Sequence, residues 1–147
     1  MSVRFSGVIT FTISNLQNAN CYGEEGAFDF KASGGEAIDS TGFAYTINGD
    51  TYLPSSSFNG PVGVYTVVAT DVNACSVSTV LTINQPTSVV LTASATNALC
   101  NAINGSLTFG ATGGTGTINY TVNGVAQTSP FAAPAGIVCV AVLLDAV

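Results

Sequence analysis

Apolar and polar residues alternate with a period of two along much of this chain. Phe28 and Phe30 are interleaved with Asp29 and Lys31 in residues 27–32, and Leu107 and Phe109 stand in the same pattern further on. That alternation gives a strand one apolar face and one wet face. Other short runs rich in Thr, Val, Ile and Tyr lie between Gly, Asn, Pro and Ser clusters, as strands lie between turns. Gly-Gly pairs at 34–35 and 113–114 break the pattern, and Asn48-Gly49 and Asn123-Gly124 predict tight hairpin turns. Asp71-Val72-Asn73 predicts another turn, followed by a strand over 76–83. Residues 64–70 and 137–144 are the most apolar runs and are expected to be central strands buried on both faces. The chain is therefore predicted to be all-β.

The pattern occurs twice. Cys21 and Cys100 stand 79 residues apart, and CYGEEGAFDFKASGG at 21–35 matches CNAINGSLTFGATGG at 100–114 without a gap. An excess of four residues around Glu36–Ser40 intervenes in the first copy. The match then resumes as Tyr45-TING against Tyr120-TVNG, and Phe58-NGPVG against Phe131-AAPAG. In the same phase Thr10–Asn20 align with Val89–Leu99. About seven short strands in about 80 residues is the immunoglobulin-like sandwich pattern. The expected organisation is an N-terminal strand and donor extension at 1–16, a complete repeat at 17–86 and an unfinished repeat at 87–147. The first copy continues into SVSTVLTINQP at 76–86, whereas Val147 aligns with Asn73, so the second sandwich lacks its last strand.

The succession of Cys, Gly-Gly, Tyr-x-x-Asn-Gly, Gly-x-Tyr-x-Val and Thr-Asp-x-x-x-Cys resembles the SprB-type repeat. Such repeats occur in tandem in large surface proteins of Bacteroidota, including gliding adhesins. The resemblance covers most of residues 17–86 and 96–147. It implies a secreted spacer or adhesive module with no catalytic residues. The second copy departs from the pattern, with Cys139 standing where the repeat has a core Tyr.

Composition narrows the function classes. Only 7% of residues are charged, too few to clothe the wet faces of long helices. Two basic residues, Arg4 and Lys31, stand against eight acids. Nucleic acid is thereby excluded as an expected partner, because phosphate binding needs clustered Lys and Arg. Membrane insertion is not expected either, since no apolar run reaches the ~20 residues of a spanning helix. The chain has no His and a single Lys, so its Ser and Cys nucleophiles lack an activating base. Lys31 falls on the face opposite Phe28 and Phe30, which argues against an internal isopeptide bond. No enzymatic activity and no cofactor are expected.

Some residues carry narrower expectations. Glu24, Glu25, Glu36 and Asp39 form a weak candidate calcium site at one end of the first copy. Asn104 and Asn119 head N-x-[ST] sequons, and Asp39-Ser40-Thr41 is similar to a short O-glycosylation signal used by Bacteroidota, with Ser40 as acceptor. Cys21, Cys75, Cys100 and Cys139 have no Cys-x-x-Cys spacing, and disulfides are expected before metal ligation. With six strands Cys21 and Cys75 share an end of the sandwich and pair within one copy. With seven they lie at opposite ends, and Cys75 meets a neighbour's Cys100 instead. The N-terminal residues Val3, Phe5, Val8 and Ile9 are candidates for a strand donated to the unfinished repeat of another copy, giving a head-to-tail polymer. Expected partners are thus copies of the chain itself at a cell surface, with surface polysaccharide as the alternative ligand.

Overall fold

The computed structural model describes residues 7–36, 42–52, 56–99, 104–133, 136 and 138–145. These are all-β, with no helix among them. The chain divides into two compact units, one of Met1–Ala19 with Gly23–Gln85 and one of Asn20–Tyr22 with Pro86–Val147.

Among the described residues the first unit has seven strands: β1 (Thr10–Gln17), β2 (Gly26–Ser33), β3 (Ala44–Ile47), β4 (Asp50–Tyr52), β5 (Ser57–Gly60), β6 (Gly63–Thr70) and β7 (Ser76–Ile83). They form two antiparallel sheets, in the orders β1-β2-β5 and β4-β3-β6-β7. Inward residues of both sheets meet in one core, with Phe28 and Phe30 of β2 against Tyr45, Tyr65, Val67 and Ile83 of the other sheet. The aromatic rings interlock, Phe30 lying 5.0 Å from Tyr45 and Phe58 4.8 Å from Tyr65 between centroids. β6 is central, as its apolar sequence predicts, but only one of its faces is covered. Tyr65, Val67 and Ala69 are buried whereas Val64 is 62% exposed, because the strand belongs to a two-layer sandwich whose outer face is wet.

The second unit repeats this plan with six strands among the described residues: β8 (Val90–Thr96), β9 (Gly105–Thr112), β10 (Thr117–Val122), β11 (Val125–Ala126), β12 (Phe131–Ala133) and β13 (Val140–Asp145). Its sheets run β12-β9-β8 and β11-β10-β13. Both predicted Asn-Gly turns close two-residue hairpins, with φ of 52° and 92° at Asn48 and Gly49 and 50° and 80° at Asn123 and Gly124. Positive φ at both positions matches the right-handed twist of the flanking strands.

The strand registers refine the alignment of the copies. Ser33 pairs with Thr10 and Thr112 with Val90, so the first half of β1 is offset from β8 by 80 residues, not 79. β1 carries a bulge between Ser14 and Gln17, with Asn15 at a φ of 50°, and the one extra residue accounts for the difference. On the other sheet Ile47 pairs with Val67 and Val122 with Val140. Val138 therefore takes the place of Tyr65, and Cys139 that of Thr66, which corrects the assignment of Cys139 to the core Tyr position. The hydrogen bonds agree: the Thr66 N–H donates to Asn48 Oδ1 at 2.8 Å and the Cys139 N–H to Asn123 Oδ1 at 2.9 Å. Counted in this register, Val147 corresponds to Ala74.

Candidate functional site

Each unit has two poles. Chain entry, the end of β2 and the β6–β7 turn share one; the end of β1, the start of β2 and the end of β7 share the other. At the entry pole of the first unit the Gly35 N–H donates to the Gly7 carbonyl at 3.0 Å. Gly34 has a φ of +80°, and an added Cβ there would overlap the Val8 carbonyl oxygen. The Gly114 N–H donates likewise to Thr87 at 2.8 Å in the second unit. The Gly-Gly pairs thus hold the incoming chain against the end of the next strand.

The exit poles differ, and the difference defines the site. In the first unit β7 pairs with β6 along its whole length, from Thr70↔Ser76 to Gly63↔Ile83. Ile83 is fully buried and rests on Gly26, where a Cβ would overlap Ile83 Cγ2. The strand end is fastened by two bonds: the Ala19 N–H donates to the Asn84 carbonyl at 2.9 Å, and the Asn84 N–H to Asn18 Oδ1 at 2.8 Å. In the second unit β13 pairs with β10 alone among the described residues, and the edge that β7 would occupy carries no strand. Where Ile83 would sit lies a cavity of about 500 Å³, lined by Asn97, Ala98, Gly105, Leu107, Ala133 and Val138 among others. These correspond to Asn18, Ala19, Gly26, Phe28, Gly60 and Tyr65.

The missing cover shows along β8 as well. Phe11 of β1 is partly buried and stacks on Phe30 with ring centroids 6.4 Å apart, whereas its counterpart Leu91 is exposed. Every residue of β8 is exposed. An open strand edge offers backbone N–H and C=O groups to another strand, and a cavity of mixed polar and apolar lining beside it offers a place for that strand's side chains. Strand addition is the chemistry this site can perform.

The four acids do not gather. Glu24 and Glu25 precede β2 at the exit pole, while Glu36 lies beyond its other end, where Glu36 Oε2 accepts from Asn73 Nδ2 at 3.2 Å. The eight residues of β2 span about 26 Å at 3.3 Å per residue, which rules out one calcium site for all four. Asp39 and Ser40 lie outside the described residues, as do Val3, Phe5 and Cys100. No group of three metal-ligating side chains occurs among the described residues.

Cys21, Cys75 and Cys139 are exposed, and no disulfide joins any two of them. Cys21 lies between β1 and β2, in the segment that groups with the second unit, and Cys75 lies in the β6–β7 turn of the first. Of the donor candidates, Val8 is 85% exposed, but Ile9 packs against the first unit's own core and is not available for donation. Asn104 and Asn119 are exposed, Asn104 Oδ1 accepting from the Leu99 N–H at 2.7 Å and Asn119 lying within β10.

Four side chains make structural hydrogen bonds that the sequence does not reveal. The Ala32 N–H donates to Tyr45 Oη at 3.1 Å, and the Ala111 N–H to Tyr120 Oη at 3.0 Å, tying the two sheets of each unit together. The repeated Tyr-x-x-Asn-Gly motif marked both tyrosines but not this bond. Asp71, 3% exposed, accepts from the N–H groups of Asn73 and Cys75 through Oδ1 and fastens the β6–β7 turn. The Tyr65 hydroxyl donates to the Pro61 carbonyl at 2.6 Å.

Burial, with Glu25 and Tyr52 as lesser causes, raises the Tyr65 phenol above the usual 10.0. The folded state then keeps a proton that the unfolded chain releases, so this contribution to stability is complete below pH 10 and is lost as pH climbs through the raised value. We expect the denaturant midpoint of the first unit to fall above pH 10, and Tyr65→Phe to flatten that alkaline limb. An unchanged slope in Tyr65→Phe would assign the limb to other groups.

The chain matches no protein-family model, and neither curated proteins nor solved structures include one similar to it. Among the described residues no helix is long and apolar enough to cross a membrane.

Proposed function

We propose that this chain is a non-enzymatic structural segment of an extracellular filament or adhesin array, assembled head-to-tail by donation of a β-strand to the open edge of β13. The observation that carries the proposal is the contrast between two copies of one plan. The first has its edge completed by β7 and Ile83, and the second has the equivalent positions around a cavity.

Other features support it. The strand orders β1-β2-β5 and β4-β3-β6-β7 agree with an immunoglobulin-like sandwich, as does the Tyr65–Pro61 bond at the start of β6, a tyrosine-corner arrangement. The resemblance to SprB-type repeats points to the surface of a bacterium and to tandem arrays. Entry and exit lie at opposite poles of a unit, which suits head-to-tail assembly, and the junction we propose would pair Cys75 of one subunit with Cys100 of the preceding one. An oxidising compartment would then seal the junction with a disulfide.

A heterologous contact of this kind does not close on itself, so it builds open chains. In sedimentation at rising protein concentration the mass average is expected to climb past the dimer without a plateau. Discrete monomers at every concentration, under reducing and oxidising conditions alike, would overturn self-assembly.

A further inference from the structure

Resting on the strand-completion function proposed above, we infer that the donor is the N-terminus of a second copy of this chain, with Val3 filling the cavity beside Gly105. The 80-residue offset carries the assignment. It holds at the entry of each unit, where Gly7 and Thr87 accept equivalent bonds from Gly35 and Gly114, and Thr10 and Val90 hold equivalent places in the sheet. Continued toward the N-terminus in the same phase, it sets Val3 on Ile83, Ser2 on Thr82 and Met1 on Leu81.

That triplet repeats the burial pattern of the strand it would replace. Leu81 is partly buried, Thr82 exposed and Ile83 fully buried. A β-branched aliphatic side chain is what the Ile83 position receives in the first unit, and Val3 supplies one. Arg4 falls on Asn84, whose two bonds to the Asn18–Ala19 segment use its backbone alone. Asn97 and Ala98 repeat that segment in the cavity wall, so Arg4 can make the same pair of bonds.

The direction of the chain also fits. A donated strand antiparallel to β13 runs as β7 does, toward the exit pole, and from there leads into the entry pole of its own first unit. Gln85–Thr87 makes that same passage within one chain. Residues 1–3 correspond to the last three residues of β7, Leu81–Ile83.

The test compares Val3→Asp with Ser2→Asp in the full chain by sedimentation equilibrium, and adds a synthetic peptide of residues 76–86. Asp at position 3 places a charge beside Leu107, Ala133 and Val138 in place of an aliphatic side chain, and the association constant is expected to drop by about tenfold or more. Asp at position 2 faces water and should change it by less than about threefold. Binding of the 76–86 peptide, seen as slowed hydrogen exchange over Val140–Asp145, reports the receptor edge independently of the donor. Equal effects of the two substitutions, or none from Val3→Asp, would overturn Val3 as donor even if the peptide binds, and the edge would then belong to a different strand. Failure of the peptide to bind, together with absence of self-association, would overturn strand completion as well.

Discussion

A second copy of residues 75–86, with Cys75→Ser, appended after Val147 is expected to raise the melting temperature of the second unit by roughly 8–16 °C. The fusion point follows from the register, in which Val147 corresponds to Ala74, so that the appended strand turns back along β13 as β7 runs along β6. Its counterpart of Ile83 would enter the cavity beside Gly105 and Leu107. Full burial of such a side chain contributes about 1.5–3 kcal/mol. A net gain of about 2 kcal/mol in a unit of some 60 residues gives the stated shift. Calorimetry should show the second transition moving while the first stays in place. Amide exchange over Val140–Asp145 should slow as the strand edge is covered. An appended strand carrying Ile83→Asp serves as control and should give none of the gain. An unchanged second transition with the unmodified strand would mean that the edge and cavity are not a receptor for it.

How far the fold could be read from the sequence depended on whether a residue's own neighbours fix its conformation. Phe28 and Phe30 alternate with polar residues, and both are buried at 1% exposure as that alternation dictates. Asn48-Gly49 and Asn123-Gly124 specify their turns because few other residues accept positive φ twice in succession. That residues 87–147 hold no counterpart of β7 was visible by counting. The bulge in β1 was not, since Asn15 at a φ of 50° leaves no signature in an otherwise strand-like run. That one residue changes the offset of the first half of β1 from 79 to 80 residues. Val64 looked like core because it lies in an apolar run, yet it is 62% exposed, since sheet position decides which face is covered.

The candidate site was legible as an absence but not as a shape. Gly26 and Gly105 look like ordinary strand starts in sequence. A Cβ at Gly26 would overlap both the Gln17 carbonyl oxygen and Ile83, and one at Gly105 would crowd the Ala133 carbonyl oxygen, contacts that only the folded chain reveals. The grouping of Glu24, Glu25 and Glu36 failed because eight intervening residues form an extended strand and not a loop. Nearness in sequence across a strand is distance in space.

The unfinished core also makes one substitution cost different amounts in the two copies. Phe30→Ala is expected to destabilise the first unit by about 3–5 kcal/mol, a large share of the total of about 5–15 kcal/mol that holds a typical domain. Phe30 is 1% exposed and its ring lies within 6.4 Å of the rings of Phe11, Phe28 and Tyr45, so little can move in to fill the space. Phe109 is its equivalent, 5% exposed, with the Tyr120 ring 5.1 Å away and an exposed β8 alongside. The cost of a cavity falls where the surroundings can collapse or already admit water, and Phe109→Ala should cost only about 2 kcal/mol. Appending the β7-type strand closes that side of the core. In the fusion protein, the Phe109→Ala penalty should therefore rise toward that of Phe30→Ala. The rise is a coupling energy between the strand and the ring, measurable as a double-mutant cycle on denaturant midpoints. Equal costs for the two phenylalanines without the added strand, or no coupling with it, would show the second core to be as closed as the first.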